Sequence, residues 1–121
     1  MLGETYKRNI SVIRQQDPDA VFIDVTRTSN SPLSPSWSLL DDYKHKKITW
    51  NEYVSRFKKE MGIREISEQL RDIATQSLKK NVYLVCYENN KECHRFLLLD
   101  MIVDLSKKEK IPIELIKQKK L

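Results

Sequence analysis

The feature that most constrains the fold is a pair of short, β-branched apolar runs, AVFIDV at residues 20–25 and VYLVC at residues 82–86. Each run is shorter than a typical helix, and its composition is typical of a strand that is buried on both faces. The segments between them are long enough to hold crossover helices, which join parallel strands. We therefore predict an α/β fold, with a mostly parallel sheet flanked by helices on both faces. Residues 1–121 are expected to form a single domain.

Helices are predicted in the spaces between the strands. Thr49 and Glu52 form a capping box, so a helix begins there and ends before Gly62. Elsewhere apolar residues recur at intervals of three and four, which is typical of amphipathic helices. The other predicted helices cover residues 38–46, 63–79 and about 93–105.

The two chain ends carry weaker strand patterns. The first ten residues can supply one strand, and residues 111–116, IPIELI, can supply another in which Pro112 and Glu114 favour an edge position. Six lysines stand against two glutamates from residue 107 to residue 121, so this part is predicted to be a basic C-terminal strand and tail. Such a tail can bind nucleic acid by neutralising phosphates, whereas a solvated, lysine-rich end is the simpler interpretation.

Composition excludes some classes of protein. The chain is 40% apolar and 32% charged, and none of its apolar runs approaches the ~20 residues that a membrane helix needs. The first ten residues lack the basic-then-apolar order of a signal peptide. Two cysteines are too few for a disulfide-stapled secreted domain. We therefore expect a cytoplasmic protein with no membrane partner and with both cysteines as thiols.

Two loops are expected to share one edge of the sheet. Residues 26–37, TRTSNSPLSPSW, follow the first apolar run, and a polar loop follows Cys86 at the end of the second. In open parallel sheets, ligands bind beyond the carboxyl ends of the strands. The sequence therefore predicts a binding site where these two loops meet.

Cys93, His94 and Arg95 follow the second loop. With Asn89 or Asn90 as the N-cap, these three residues would occupy the first turn of a helix, where free N–H groups and the helix dipole favour a thiolate. We therefore expect a lowered pKa for Cys93. The same geometry can also bind an anion without any cysteine chemistry.

Cys86, the other cysteine, ends a buried strand. Burial should raise its pKa, because desolvation disfavours the thiolate. Six residues separate it from Cys93, and a disulfide between the two is possible if their Cα atoms lie within ~7 Å of each other.

Metal binding is a further hypothesis. Cys86, Cys93 and His94 are three potential zinc ligands, and Asp24 or Glu88 could be the fourth. The chain has no paired Cys-x-x-Cys module, and we therefore predict no metal and no cofactor.

Three ordered segments carry a resemblance to a known family. They are PSWSLLDDYK at Pro35–Lys44, ITWNEY at Ile48–Tyr53 and LVCYENNKECHR at Leu84–Arg95. Together they resemble the pattern of the small-protein branch of the domain of unknown function 488 family, over roughly residues 20–103. One departure is the loop, where the family usually has a glycine before its second cysteine and this chain has NNK.

The resemblance implies an α/β fold and a shared site, but no substrate. It also implies which side chains form the site. The residues that match the family's pattern are Arg27, Pro35, Trp37, Tyr43, Lys44, Cys86, Glu88, Cys93, His94 and Arg95.

Two classes of function remain open. In an enzyme, Cys93 would be the nucleophile or redox thiol, His94 the base, and Arg95 with Arg27 a clamp for a phosphate- or carboxylate-bearing substrate. In a non-catalytic nucleotide or nucleic-acid binding module, the same basic site would hold phosphates and Trp37 or Tyr43 would stack on a base. The predicted catalytic set is Cys93, His94, Arg95, Cys86 and Glu88. The predicted substrate-binding set is Arg27, Pro35, Trp37, Tyr43 and Lys44.

Overall fold

Three strands form one parallel sheet in the computed structural model, which describes residues 1–87 and 92–116. The strands are β1 (Leu2–Tyr6), β2 (Val21–Asp24) and β3 (Val82–Cys86), in the order β1-β3-β2. Both outer strands run parallel to β3. The predicted α/β class and the parallel pairing of the two apolar runs are therefore confirmed. Cys86 is the last residue of the central strand β3, where it pairs with Tyr6 of β1.

The described residues contain five α-helices. The predicted segments at 38–46 and 63–79 agree with the structure to within two residues at each end, whereas the first helix was not predicted. That helix follows a short 3-10 turn, and none of its residues is buried, so it lacks the apolar spacing that identifies the others. The helices are α1 (Ile10–Gln16), α2 (Trp37–Lys44), α3 (Trp50–Glu60), α4 (Arg64–Ser77) and α5 (His94–Glu109).

The core lies between the sheet and the helices α3, α4 and α5. Val82, Leu84 and Val85 of β3 are almost completely buried, as a central parallel strand requires. Both α4 and α5 contact β3, and α5 also contacts β1. Phe57 of α3 is fully buried in the same apolar cluster. Helical cover on the second face of the sheet stays a prediction.

The capping box of α3 is present as predicted. The Thr49 side chain accepts a hydrogen bond from the backbone N–H of Glu52, and the Glu52 carboxylate accepts one from the backbone N–H of Thr49. Two of the free N–H groups at the start of the helix are thereby satisfied. The capping box thereby defines where α3 begins.

The C-terminal segment extends the sheet by a single bridge rather than by a strand. Leu2 pairs in parallel with Leu115, and the flanking hydrogen bonds join Leu2 to Glu114 and to Ile116. Its position beside β1, at the edge of the sheet, agrees with the prediction. A Cβ atom added at Gly3 would lie 3.1 Å from side-chain atoms of Ile116, so glycine permits the close approach of this segment.

The predicted basic tail divides into two parts. Residues 107–109 belong to the last turn of α5, where lysines complement the negative end of the helix dipole. Residues 117–121, with the remaining lysines, lie outside the described residues, and nucleic-acid binding by the tail stays a prediction. In the described part of the chain, every helix is too short or too polar to cross a membrane.

Candidate functional site

The carboxyl edge of the sheet begins with a fixed turn after β2. The Asp24 carboxylate accepts hydrogen bonds from the backbone N–H of Thr26, at 2.9 Å, and from the Thr26 hydroxyl, at 2.6 Å. Lys7 forms an ion pair with the same carboxylate at 3.1 Å. The chain then makes a 3-10 turn at Arg27–Ser29. These bonds direct the Arg27 side chain toward the loop that leads into α2.

A cavity of about 350 Å³ opens between this loop, α2 and the start of α5. Its walls contain seven of the ten residues predicted for the site. The predicted convergence of the two loops at one edge is therefore present in the structure. The lining residues are Thr26, Arg27, Thr28, Pro35, Trp37, Leu40, Lys44, Cys86, Tyr87, Glu92, Cys93 and His94.

The start of α5 corrects one prediction. Cys93 itself is the N-cap, with an extended backbone, and the helix begins at His94. The prediction that Asn89 or Asn90 caps this helix is wrong, because the extended backbone of Cys93 sets the first helical residue at His94. Residues 88–91, which include Glu88, lie outside the described residues. The sulfur of Cys93 is therefore presented from the entrance of the helix rather than from within its first turn.

The two cysteines form a close sulfur pair. Their Sγ atoms are 2.9 Å apart, and both residues are free thiols. Cys86 is buried and only 4% exposed, whereas Cys93 is partly exposed. This contact brings together the end of the central strand and the N-cap of α5. We call Cys86 and Cys93 the sulfur pair below.

The imidazole ring of His94 lies against the sulfur pair, and both of its nitrogens are 3.9 Å from Sγ of Cys86. Its Nε2 lies 2.5 Å from the backbone carbonyl of Val25, which can only accept a hydrogen bond, so Nε2 carries a proton. Its Nδ1 lies 3.9 Å from the Sγ atoms of both Cys86 and Cys93. The Phe57 ring packs against the imidazole with centroids 5.7 Å apart. The ring orientation is therefore fixed, and Nδ1 is the atom available for proton exchange with the sulfurs.

The two thiols have opposite acidities. A hydrogen bond from Cys86 lowers the pKa of Cys93 to about 4, with help from His94 and the backbone N–H of Arg95, and against the effect of burial. The hydrogen bond to Cys93, together with burial, raises the pKa of Cys86. Cys93 is therefore the thiolate and Cys86 the thiol that donates to it, which agrees with the predicted difference between the two cysteines.

Arg95 has a different place from the one predicted. Its side chain is fully buried, and Nε donates a hydrogen bond of 2.6 Å to the carboxylate of Glu4 in β1. Burial lowers the pKa of Arg95, but the hydrogen bond to Glu4 and the nearby thiolate raise it more, so its charge is retained. The guanidinium also lowers the pKa of Cys86. Arg95 does not line the cavity, and of the two arginines proposed as a clamp only Arg27 faces it.

Arg27 combines fixed and available donors. Its Nη1 donates a hydrogen bond of 3.1 Å to the carbonyl of Pro35, and the guanidinium lies over the Trp37 ring at 5.4 Å. Its Nε is buried and has no hydrogen-bond partner within the described residues. A buried donor without a partner is energetically costly.

The other family residues mainly shape the walls of the cavity. Ser36 caps α2 through the backbone N–H of Leu39 and donates to the Glu60 carboxylate at the end of α3. The Tyr43 hydroxyl donates a hydrogen bond to Glu92. Trp37 is 54% exposed at the rim. Tyr43 thus borders the cavity through Glu92, while Lys44 lines it directly.

Two important partners were missed by the sequence analysis. Glu4 lies in a segment with only a weak strand pattern, and its pairing with Arg95 spans 91 positions. Glu60 follows Lys58 and Lys59 at the end of α3, so its sequence context is that of an ordinary polar helix end. Only the presence of a carboxylate inside a short apolar stretch, LGETY, could have indicated Glu4.

The sulfur pair and His94 also offer three atoms for a metal ion, all within 4.8 Å of one another. Tetrahedral zinc with bonds of about 2.3 Å holds two sulfurs about 3.8 Å apart, so the 2.9 Å pair would have to open. Asp24, one proposed fourth ligand, is bonded to Thr26 and Lys7, and Glu88 lies outside the described residues. The arrangement fits a thiol–thiolate pair better than it fits zinc.

These features define a small parallel α/β protein with a thiol site at the carboxyl edge of its sheet. A family profile described as the active DUF488-N3 subclade, DUF488-N3a, matches residues 12–105. The chain therefore belongs to the domain of unknown function 488 family, as its three sequence segments suggested. No curated protein and no solved structure gives a significant match.

Proposed function

We propose that this chain is a thiol-dependent enzyme acting on a small substrate that bears a phosphate or a carboxylate. The position of the Cys93 sulfur supports this most directly, because Cys93 lines the same cavity as Arg27 and Lys44. The hydrogen bond from Cys86 keeps Cys93 as the thiolate, which is the nucleophilic form of cysteine. An available nucleophile beside anion-binding groups is the arrangement that covalent catalysis needs.

Anion binding would use donors from both loops. The side chains of Arg27, whose Nε has no hydrogen-bond partner among residues 1–87 and 92–116, and of Lys44 supply positive charge, while the start of α5 supplies the positive end of a helix dipole. Thr26 and Thr28 add hydroxyl groups to the same wall. Arg95 lies beneath the sulfurs as a positioning residue, since its guanidinium is bonded to Glu4.

The chemical step would be a displacement at the phosphorus or carbonyl carbon of the substrate. In the proposed resting state, the Cys93 thiol has given its proton to Nδ1 of His94. Sγ of Cys93 forms a bond to the substrate atom, and the leaving oxygen departs with the bonding electrons and takes that proton from Nδ1. Water then attacks the same atom, the bond to sulfur breaks, and the proton lost by the water returns to Nδ1. The thiolate and the imidazolium are thereby regenerated.

Activity against anionic esters tests this function. Purified protein is assayed with 4-nitrophenyl phosphate and with 4-nitrophenyl hydrogen succinate, which retains a free carboxylate. We expect turnover of at least one ester, complete loss in Cys93→Ser, and a partial loss in Cys86→Ser, since Cys86 acts only through Cys93. Absence of turnover with both esters, or full activity in Cys93→Ser, would overturn the proposal.

Non-catalytic nucleotide binding is the second candidate, and the exposed Trp37 at the cavity rim favours it. A nucleobase could stack on this ring while Arg27 and Lys44 hold the phosphate. The chain has two tryptophans, so Trp50→Phe leaves Trp37 as a single fluorescent reporter. Quenching by nucleoside monophosphates that is unchanged in Cys93→Ser, without turnover of the esters, would favour this alternative.

The proposed chemistry also implies a reducing compartment such as the cytoplasm. Two thiols at 2.9 Å are well placed for oxidation, and glutathione and thioredoxin keep such pairs reduced inside cells. The cytoplasmic location is part of this proposal.

A further inference from the structure

We propose that Cys93 is a site of oxidation by hydroperoxides and that Cys86 is its resolving thiol, so that the sulfur pair converts reversibly into a disulfide. The substrate class for this second reaction is a small hydroperoxide, either hydrogen peroxide or an organic one. The inference concerns regulation of the proposed active site and shares the Cys93 thiolate with it, but it does not require ester turnover.

The geometry of the reduced pair carries this inference. The two Sγ atoms are 2.9 Å apart although both cysteines are free, and a disulfide needs about 2.05 Å, so closure requires a movement of about 0.9 Å. Cys86 ends a strand at the centre of the sheet, and Cys93 directly precedes α5, which is packed on that sheet. Both sulfurs are thus held in place by the core.

Access and burial give the two cysteines different roles. Both line the cavity, but Cys93 is partly exposed whereas Cys86 is 4% exposed. An oxidant that enters the cavity therefore meets a thiolate at Cys93 and a protonated thiol at Cys86. Hydroperoxides react with thiolates, so Cys93 is the first sulfur to be oxidised.

The first step forms a sulfenic acid. The Cys93 thiolate attacks one oxygen of the hydroperoxide, an S–O bond forms and the O–O bond breaks. The other oxygen leaves with the bonding electrons and takes the proton that Cys93 gave to Nδ1 of His94, which lies 3.9 Å from the Cys93 sulfur. The products are Cys93 sulfenic acid, an alcohol or water, and neutral His94.

The second step forms the disulfide. Once Cys93 is neutral, the thiolate that raised the pKa of Cys86 is gone, and Cys86 can give its proton to Nδ1 of His94, also at 3.9 Å. The Cys86 sulfur attacks the Cys93 sulfur, the S–S bond forms, and the S–O bond breaks. Hydroxide leaves and takes the proton back from His94 as water. Two thiols and one hydroperoxide have then become one disulfide, one alcohol and one water.

Intact-mass analysis tests the proposal in the whole chain. Reduced protein is treated with one equivalent of hydrogen peroxide, and free thiols are then alkylated. We expect the wild type to lose the mass of two hydrogens and both alkylation sites, with full recovery after dithiothreitol. In Cys86→Ser, we expect a sulfenic acid at Cys93 that the reagent dimedone traps. Circular dichroism of Cys86→Ser is the control that shows whether the variant is folded.

Two results would overturn the inference. One is accumulation of sulfenic or sulfinic acid at Cys93 of the wild type without a disulfide, and the other is a Cys93 thiol that stays intact in peroxide. Failure of this inference can be distinguished from failure of the proposed enzyme activity. Disulfide formation without ester turnover would reject that activity alone, whereas ester turnover that peroxide leaves unaffected would reject only this inference.

Discussion

Arg95 and Glu4 form a buried ion pair that joins the first turn of α5 to β1, with a distance of 2.6 Å from Nε to the carboxylate. The Arg95 and Glu4 side chains are 0% and 6% exposed, so bulk water solvates neither charge well. The pair also holds the Arg95 guanidinium beneath Cys86, whose pKa it lowers. The first strand and the last helix therefore contribute jointly to the environment of the sulfur pair.

Removing one charge of this pair should strongly destabilise the protein. We expect Glu4→Gln to lower the free energy of unfolding by about 3 kcal/mol, because it removes the negative charge from a buried ion pair. Urea unfolding followed by circular dichroism measures the change. The control is Glu68→Gln, which breaks the exposed pair with Arg64 and should cost less than about 0.5 kcal/mol. Equal decreases in the free energy of unfolding for the two substitutions would show that the buried Arg95 does not need the Glu4 carboxylate for the fold to be stable.

The rate at which iodoacetamide alkylates Cys93 should change little with pH near neutrality. Since the pKa of Cys93 is lowered to about 4, its alkylation rate should be nearly constant between about pH 5 and pH 8. An ordinary thiol, with a pKa of about 8.5, would react about tenfold faster per pH unit over that range. Cys86 should remain unlabelled in the folded protein.

Cys86→Ala is the variant that isolates the cause of this behaviour. The substitution removes the hydrogen bond that contributes most to the lowered pKa of Cys93, so the labelling rate at low pH should fall. Mass analysis after short pulses of reagent gives both rates. A rate at Cys93 that rises tenfold per pH unit in the wild type would contradict the thiolate assignment.

The stability of the fold should also depend on the Cys93 thiolate. The folded pKa of about 4 is lower than the unfolded value, so between these two pH values the folded state binds fewer protons. Stability contributed by this group is therefore present above the unfolded pKa and is lost as the pH falls toward about 4.

Urea unfolding at several pH values measures this effect. Between about pH 8 and pH 5 the wild type should lose more stability than Cys93→Ser, which lacks the ionisable group. Above the unfolded pKa the trend should reverse, because the raised pKa of Cys86 then favours the unfolded state. Parallel pH profiles for the two proteins would disprove a thiolate that stabilises the fold.

Inorganic phosphate should protect Cys93 through Arg27. With phosphate in the cavity, we expect slower alkylation of Cys93, and Arg27→Gln should weaken this protection about tenfold, since it removes a charged hydrogen-bond donor. Lys107→Gln makes the same change of charge at the far end of α5 and should leave protection unchanged. If the two substitutions weaken the protection of Cys93 by phosphate to the same extent, phosphate acts through the net charge of the protein and not through the cavity.

Local patterns predicted much of this fold. The two apolar runs specified β2 and β3 because buried parallel strands need continuous apolar residues, and Thr49 with Glu52 specified the start of α3 through local hydrogen bonds. The positions of Cys86 and Arg27 after strand ends placed both at one edge. The cavity could be predicted because the carboxyl ends of parallel strands meet there.

The remaining features depend on contacts between distant segments. The helix α1 buries none of its residues, so its sequence lacks a helical apolar stripe. Arg95 was expected to face a ligand, because the helix start was placed at Asn89 or Asn90 and Glu4 was not known to be near. The 2.9 Å separation of the sulfurs also depends on the packing of α5 against β3, which local sequence does not determine.

The central place of β3 has a consequence for how the chain folds. Leu2 and Val21 both pair with Val82, so each strand pair closes a loop of roughly sixty residues or more. Closing such long loops costs conformational entropy, and proteins with many contacts between distant residues therefore fold slowly. During synthesis, β1 and β2 have no strand partner until β3 has left the ribosome. The helices α3 and α4 are complete by then, so we expect them to form before the sheet does.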